Sequence, residues 1–199
     1  MATYLFREST NALHFKHLVR QDLRGADAAI HPLRDAQEHD AFLLASLATA
    51  GREIHIVSPW IILDRIKEIG ALVAMRTAIQ RGVKVTVYTD PEFNTDGSPE
   101  GRDRKRRTLD ATAAILCDAG IQIAFVARVH SKVLIGDDDL YCVGSFNWFS
   151  ARRDAQYARH ETSLAYRGPG LTGEIDVMRA SLRERIIEVP QTHQPQSKT

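Results

Sequence analysis

The chain has almost no net charge. Its 26 Lys and Arg are set against 25 Asp and Glu, a formal balance of +1 over 199 residues, so no global basicity announces a polyanionic partner. Cysteine is scarce as well. Cys117 and Cys142 are the only two, which excludes a disulfide framework and any cysteine-based metal spacing, and both read as buried free thiols. No apolar run is long enough to span a bilayer. The opening residues lack the basic region and apolar stretch that mark an export leader, so a cytoplasmic location is expected, with a removed leader as the alternative. No internal repeat is present. The length and the 44% hydrophobic content suit a single compact domain with a full core.

Helical and strand patterns alternate along the chain. Residues 11–24 and 33–50 read as helices, the second ending before Gly51, and 53–61 reads as an apolar strand broken at Ser58-Pro59-Trp60. An amphipathic helix over 66–80 closes at Gly82 and precedes a strand over 83–89. A helix over 106–119 closes at Gly120 and precedes a strand over 121–126, and the last helix covers 171–187. The apolar, β-branched-rich runs 129–135 and 140–146, separated by acidic turn residues, read as a hairpin, and 160–166 reads as one more strand. The expectation is an α/β fold with a central mixed β-sheet flanked by helices on both faces. Its expected parts are a helical N-terminal extension over 1–34, a catalytic domain over 35–188 and a disordered, Gln- and Ser-rich tail over 189–199.

The hairpin carries the chemistry. Residues 130–147 read His-Ser-Lys-Val-Leu-Ile-Gly-Asp-Asp-Asp-Leu-Tyr-Cys-Val-Gly-Ser-Phe-Asn. With Asp138 and Asp139 as a two-residue loop, His130 faces Asn147 and Lys132 faces Ser145. Side chains alternate with period two, so all four polar groups project from one face at the open end. The opposite face would carry Val133, Ile135, Leu140, Cys142 and Phe146, buried against helices. Four convergent polar groups on an apolar hairpin are hard to explain as packing. A neutral imidazole at His130 can attack phosphorus and form a covalent intermediate. Lys132 supplies a fixed positive charge, and the Asn147 amide and Ser145 hydroxyl can hold non-bridging oxygens as charge builds on them. Gly144 allows close backbone approach or tight strand packing. Asp137 falls on the other face near the turn and reads as structural. A metal site made from His130 and the three aspartates is disfavoured, because Lys132 would repel a cation.

At every specified position this stretch fits HxKx4Dx6GSxN, and over roughly residues 35–188 the chain resembles the phospholipase D superfamily, in its single-motif, nuclease-like branch. The resemblance implies a phosphodiesterase that works through a phosphohistidine without metal or cofactor. It makes His130 the nucleophile and Lys132, Ser145 and Asn147 the phosphate-binding residues. It also implies a carboxylate downstream of GSxN that accepts a hydrogen bond from the imidazole. Glu161 is the best match, and an exposed strand-end glutamate is the alternative. His160 beside it alternates to the other face, outside the site. Superfamily chemistry uses two HxK motifs, one histidine attacking and the other protonating the leaving oxygen. This chain has one. His14-Phe15-Lys16 is followed by Asp22, one place beyond the required spacing, without a GSxN, and reads as coincidence. A homodimer would bring two His130 side chains together across a two-fold interface, unless the chain is half of a longer two-motif enzyme.

Substrate choice rests on aromatic and basic residues. The resemblance places Trp60 beside the hairpin, where it could stack on a base or wall the pocket; a core tryptophan capping the sheet is the alternative. Trp148 and Phe149 are expected to pack under the site or at a dimer interface. The polar loop from residue 90 ends in a basic cluster of Arg102, Arg104, Lys105, Arg106 and Arg107. These could track a polyanion or be a solvated helix start; cations at a helix N-terminus oppose its dipole, which favours function. Arg152 and Arg153 lie near the expected mouth. The reading is a metal-independent nuclease, a homodimer acting on nucleic acid, DNA before RNA, with no membrane partner. The alternatives are a lipid phosphodiesterase, which would want an apolar rim or amphipathic anchor, and a catalytically silent nucleic-acid-binding or dimerisation module. Intact His130, Lys132, Ser145 and Asn147 argue against the last.

Overall fold

A computed structural model describes residues 29–154 and 159–190. The expected helix over 11–24, with the His14 triplet, and the tail from 191 lie outside the described residues. The strands are β1 Ala29–Leu33, β2 Glu53–Val57, β3 Lys84–Thr89, β4 Gln122–Val126, β5 Lys132–Gly136, β6 Leu140–Gly144, β7 Ser163–Arg167 and β8 Ile186–Glu188. They form one sheet in the order β1-β7-β6-β5-β2-β3-β4-β8. Strands β2, β3 and β4 run parallel, and the other pairs are antiparallel. The helices are α1 Ala36–Thr49, α2 Leu63–Glu68, α3 Ala71–Gln80, α4 Pro91–Thr95, α5 Pro99–Asp118 and α6 Thr172–Glu184. The mixed α/β sheet with helices on both faces is as expected.

Alternation along each strand divides the core in two. Ile54, Ile56, Val85, Val87, Ile123, Phe125, Leu134 and Cys142 pack with Leu43 and Leu47 of α1, Met75 of α3 and Leu116 of α5. Val57, Tyr88, Val126, Val133 and Ile135 point the other way, against Ile175 and Leu182 of α6. Each fully buried aliphatic side chain contributes about 1.5–3 kcal/mol relative to exposure, so the two-sided burial of β2 and β5 holds the middle of the sheet. Among the described residues no helix is long and apolar enough to cross a membrane.

Four elements depart from expectation, the last helix first: it stops at Glu184 rather than 187, and Ile186–Glu188 pairs as an edge strand with β4. Ala29–Leu33 is an edge strand paired with β7, so the sheet begins by Ala29 rather than after a helical extension ending at 34. The helix expected over 66–80 is two helices, parted at Gly70, whose φ of 75° is left-handed and open mainly to glycine. Helix α5 begins at Pro99, with Ser98 accepting from the Gly101 N–H as its cap. This is well before residue 106, because Ser-Pro supplies a start signal that the charged run obscured.

The parallel strands end in Val57, Thr89 and Val126, and β5 begins antiparallel beside β2, with Val133 opposite Val57. The loops that follow the parallel strands and the start of β5 therefore share one end of the sheet. In open α/β sheets, the carboxyl ends of the strands are where ligand clefts form.

Candidate active site

The hairpin register differs from the expected one by a residue. Lys132 lies opposite Gly144, not Ser145, and Gly136 opposite Leu140, which makes the loop three residues, Asp137, Asp138 and Asp139. Asp137 takes a left-handed φ of 47°, a conformation aspartate tolerates better than most side chains. Its carboxylate then accepts the Gly51, Arg52 and Glu53 N–H groups at 2.8–2.9 Å. Burial pushes its pKa up, but those three donors and the Arg52 charge outweigh it and hold the carboxyl below its ordinary value. Asp137 thus fastens the turn to the start of β2, the structural role expected of it. The faces change accordingly: Leu140, Cys142 and Phe146 pack on the α1 side with Leu134, whereas Val133 and Ile135 pack on the α6 side. Both cysteines are free and buried, and burial pushes the Cys142 thiol up to about 12.

Lys132 is almost fully buried, and His130, just before β5, is exposed. The Lys132 Nζ lies 3.1 Å from His130 Nδ1 and 3.3 Å from Nε2, and it donates to the His130 carbonyl at 2.7 Å. Burial lowers the Lys132 pKa, opposed in part by the charge of Glu161. Two aromatic rings stand edge-on to the His130 imidazole, Trp60 at 5.4 Å and Phe93 at 5.6 Å between centroids. Trp60 donates its Nε1–H to the Phe93 carbonyl and carries the Lys132 ammonium 5.5 Å from its ring centroid. It is a half-buried wall of the site, not a core cap. Asp90 sets the frame: one carboxylate oxygen caps α4 and the other accepts the Val129 N–H, next to His130.

Strand β6 ends at Gly144, and the chain bends, so strand alternation does not govern Ser145 or Asn147. Ser145 is exposed; its Oγ accepts the Thr162 N–H at 3.2 Å, and its own N–H donates to the Thr162 carbonyl at 3.0 Å. Asn147 and Glu161 line one cavity of about 480 Å³. The Asn147 Oδ1 is buried and has no hydrogen-bond partner among the described residues, an arrangement that structural side chains rarely show. No hydrogen bond joins Glu161 to His130 among the described residues; its charge acts on Lys132 and His39 instead. His160, expected outside the site, lines the same cavity as Asn147 and Glu161.

Behind this wall lie two buried residues that pattern reading missed, Ser163 and His39, beside Lys132 and Gly144, which it singled out. Lys132, Gly144 and Ser163 lie side by side across three strands. A Cβ on Gly144 would fall 2.0 Å from the Ser163 Oγ and 2.4 Å from the Thr162 carbonyl, so glycine is required by close strand packing. Burial lowers the His39 pKa and keeps its ring neutral. The Nδ1–H then donates to the Asp35 carbonyl at 2.6 Å, and Nε2 accepts from Ser163 Oγ at 2.8 Å. The ring stacks on Phe146 at 4.1 Å. No local signal marks His39, because its partner is 124 residues away. Phe93, in the short helix α4 where the sequence reads as a polar loop, was equally hidden.

The basic residues divide by partner. Arg153 is not at the mouth: it grips Asp40 through two nitrogens, at 2.7 and 3.1 Å, and donates to the Trp148 carbonyl. It therefore ties α1 to the loop that follows Asn147. Trp148 and Phe149 are core residues under the site. Arg102 and Lys105 donate to the carbonyls of Gly97 and Asp96, and Arg106 pairs with Asp110 and Glu188. From Arg104 onward the cations lie beyond the first turn of α5, so the dipole argument does not apply to them. Arg104 and Arg107 have no hydrogen bond or ion pair through their side chains among the described residues. With Lys105, they line a cavity of about 980 Å³ that is also bounded by Trp60 and Phe93. Arg152 lines the smaller cavity, 3.9 Å from Asp154.

Comparisons with known proteins bear on this arrangement. Residues 43–177 match the family model described as "Cardiolipin synthase, PLD-like domain". No curated protein matches the chain in sequence. Nuc from Salmonella typhimurium, a phospholipase D family member, superposes with a TM-score of 0.60 at 17% identity, over 83% of this chain and 100% of that one. NucT from Helicobacter pylori does so at 0.55 and 16%, over 80% and 98%. The phosphatidylserine synthase of Haemophilus influenzae gives 0.65 at 12% identity, over 90% of this chain but 46% of its own length.

Proposed function

Because the chain belongs to the phospholipase D superfamily, we propose that it is a metal-independent nuclease in which His130 attacks the scissile phosphorus of a nucleic acid. The observation that carries this reading is the Lys132 ammonium held within 3.1 and 3.3 Å of the two His130 ring nitrogens. A cation fixed there can neutralise a phosphoryl oxygen as the imidazole forms its P–N bond. In that step the P–O bond to the leaving group breaks, and the leaving oxygen takes a proton from a second histidine. Water then attacks phosphorus and breaks the P–N bond, giving up a proton to that second histidine and restoring His130. The Asn147 amide and the Ser145 hydroxyl serve the non-bridging oxygens, and Glu161 balances the charge of Lys132. A second copy of the chain supplies the second His130 across a two-fold axis. DNA is favoured over RNA.

One observation favours a lipid phosphodiesterase instead. Ile62, 48% exposed, lines the larger cavity beside half-buried Leu63, an apolar patch that an acyl chain could use. The test is cleavage of labelled single- and double-stranded DNA and RNA in excess EDTA, for wild type and His130→Ala, with the oligomeric state read in parallel by light scattering. EDTA-resistant cutting by a dimer that vanishes in the variant is the expected result. No cutting of any nucleic acid, with turnover of phospholipid vesicles, moves the assignment to lipid.

A further inference from the structure

The two cavities near the site share one lining residue, which forms the saddle between them. Ser150 lines both of them. On one side of this saddle, Trp60 and Phe93, the rings that flank His130, open into the larger cavity. On the other side, Asn147 and Glu161 open into the smaller one. His130 thus adjoins the larger cavity through the Trp60 and Phe93 rings, and the smaller one through Lys132, on which the charge of Glu161 acts.

Charge is distributed along both arms. In the larger cavity Arg104 and Arg107 lie one helical turn apart on α5, on the same side of the helix. Both are exposed and without side-chain partners among the described residues, although Arg102, Lys105 and Arg106 between and beside them are engaged. In the smaller cavity Arg34, Arg152 and Arg159 stand with His160. Arg34 shares its charge with Glu38 at 3.7 Å. Cations outnumber acids in each arm, where Asp64 and Asp96 line the first and Asp35 and Glu161 the second. In the smaller arm Glu38 and Asp154 stand behind Arg34 and Arg152, and Arg159 has no acid partner among the described residues. In a chain whose overall balance is +1, cations therefore line both sides of the site.

We infer that the substrate is a polynucleotide laid across the saddle, with phosphates held by Arg104 and Arg107 on one side of the scissile bond and by Arg34 and Arg159 on the other. This rests on the nuclease reading above and adds that the bond cut is internal. A phospholipid presents a single phosphodiester and needs one cationic centre. It would leave the second arm, where three arginines and a histidine gather, without a task. A strand carries a charge at every residue and uses both arms. Each phosphate neutralised by a cation releases condensed counterions, so cation pairs on both sides should be read in the salt dependence of the same reaction.

The experiment compares three proteins: wild type, Arg104→Glu/Arg107→Glu and Arg34→Glu/Arg159→Glu. All four arginines are exposed, so folding is checked by melting and expected to be retained. Two substrates are used, a labelled single-stranded oligonucleotide and bis(p-nitrophenyl) phosphate, a small diester that reaches the nucleophile but neither arm. The quantity read is the ratio of kcat/KM for the oligonucleotide to that for the small diester. The wild type is expected to cut internal bonds, and each double variant to lose that ratio at least tenfold. Each variant's slope of log binding against log salt should flatten by about 0.7 for every phosphate that is no longer neutralised. A ratio and slope unchanged in either variant overturns the two-armed track while leaving the phosphodiesterase reading in place. So does wild-type turnover of the small diester, or of phosphatidylcholine vesicles, with no oligonucleotide cleavage. Failure on every substrate removes the nuclease reading and the inference with it.

Discussion

The two ends of the β5–β6 hairpin are equally polar and differently built. At the turn, every charge has a partner. Asp137 takes three backbone N–H groups, Asp138 pairs with Arg52 at 2.6 Å and Arg179 at 3.1 Å, and Asp139 faces Arg167 at 3.6 Å. At the open end, among the described residues, Lys132 contacts only His130 and the ring of Trp60, with the charge of Glu161 acting on it, and Asn147 has a buried oxygen with no hydrogen-bond partner. Polar groups that serve the fold are satisfied by it. The turn's one unpaired buried atom among the described residues, Arg179 Nε, belongs to a guanidinium already held by Glu53 and Asp138, whereas the Asn147 oxygen has no such tie and its residue lines a cavity. The energetic signatures of the two ends should therefore differ in kind.

The largest expected effect is at the open end. His130→Ala should abolish turnover on any phosphodiester while changing stability by no more than about 0.5 kcal/mol, as for other exposed positions. Single-turnover assays beside urea melts would show it, and substantial residual cutting would falsify a histidine nucleophile. Next, Asn147→Leu should lower kcat on the order of 100-fold, the scale seen when one oxyanion donor is removed. Its stability should hold or rise, because a buried acceptor without a partner disappears. Loss of both together would place Asn147 with the turn-end residues.

At the turn, the balance should invert. Asp137→Ala leaves three N–H groups at the start of β2 without their acceptor and should cost about 1–3 kcal/mol, with kcat of the folded enzyme retained. Asp137→Asn should cost less. A kcat that fell in proportion to stability would mean that the turn communicates with the site.

The smallest effect separates the two ends by pH. Buried His39 has a lowered pKa, so the unfolded chain binds its proton first as pH falls. The stability it secures is complete above the unfolded histidine value of about 6.5 and declines below it, toward the lower folded value. Asp137, whose pKa is also lowered, contributes stability above the unfolded aspartate value of about 3.9 that is lost as pH falls through its folded pKa. Urea midpoints across pH should therefore show His39→Gln flattening the upper window and Asp137→Asn only the lower one. His55, buried and shifted the same way, keeps part of the upper slope in the His39 variant. If the upper window were untouched by His39→Gln, its ring would not be neutral in the fold.

Much of this was legible in order along the chain. Alternating apolar runs marked β2 to β7, and spacing alone singled out His130, Lys132, Ser145 and Asn147, since both are patterns over a few residues. The hairpin register was not legible, because a two-residue and a three-residue loop fit the same alternation. What selects between them is the Asp137 carboxylate finding the Gly51 N–H across 86 residues. Arg153 read as a mouth residue because it follows shortly after Asn147, and only its pairing with Asp40, 113 residues away, shows that it holds the loop. The basic cluster was visible as five cations. Which of them are free depended on where α5 starts and on acids supplied by Glu188.

The amino-acid order by itself determined the fold class and singled out the candidate site residues, because side-chain periodicity and motif spacing are local properties of the backbone. The tertiary structure alone decided which polar groups are spent on the fold and which line a cavity unpaired. Hydrogen-bond satisfaction is settled between segments far apart in sequence. Thus His39 and Ser163 brace the wall behind Gly144, and Arg104 and Arg107 line the larger cavity with no side-chain partners of their own among the described residues.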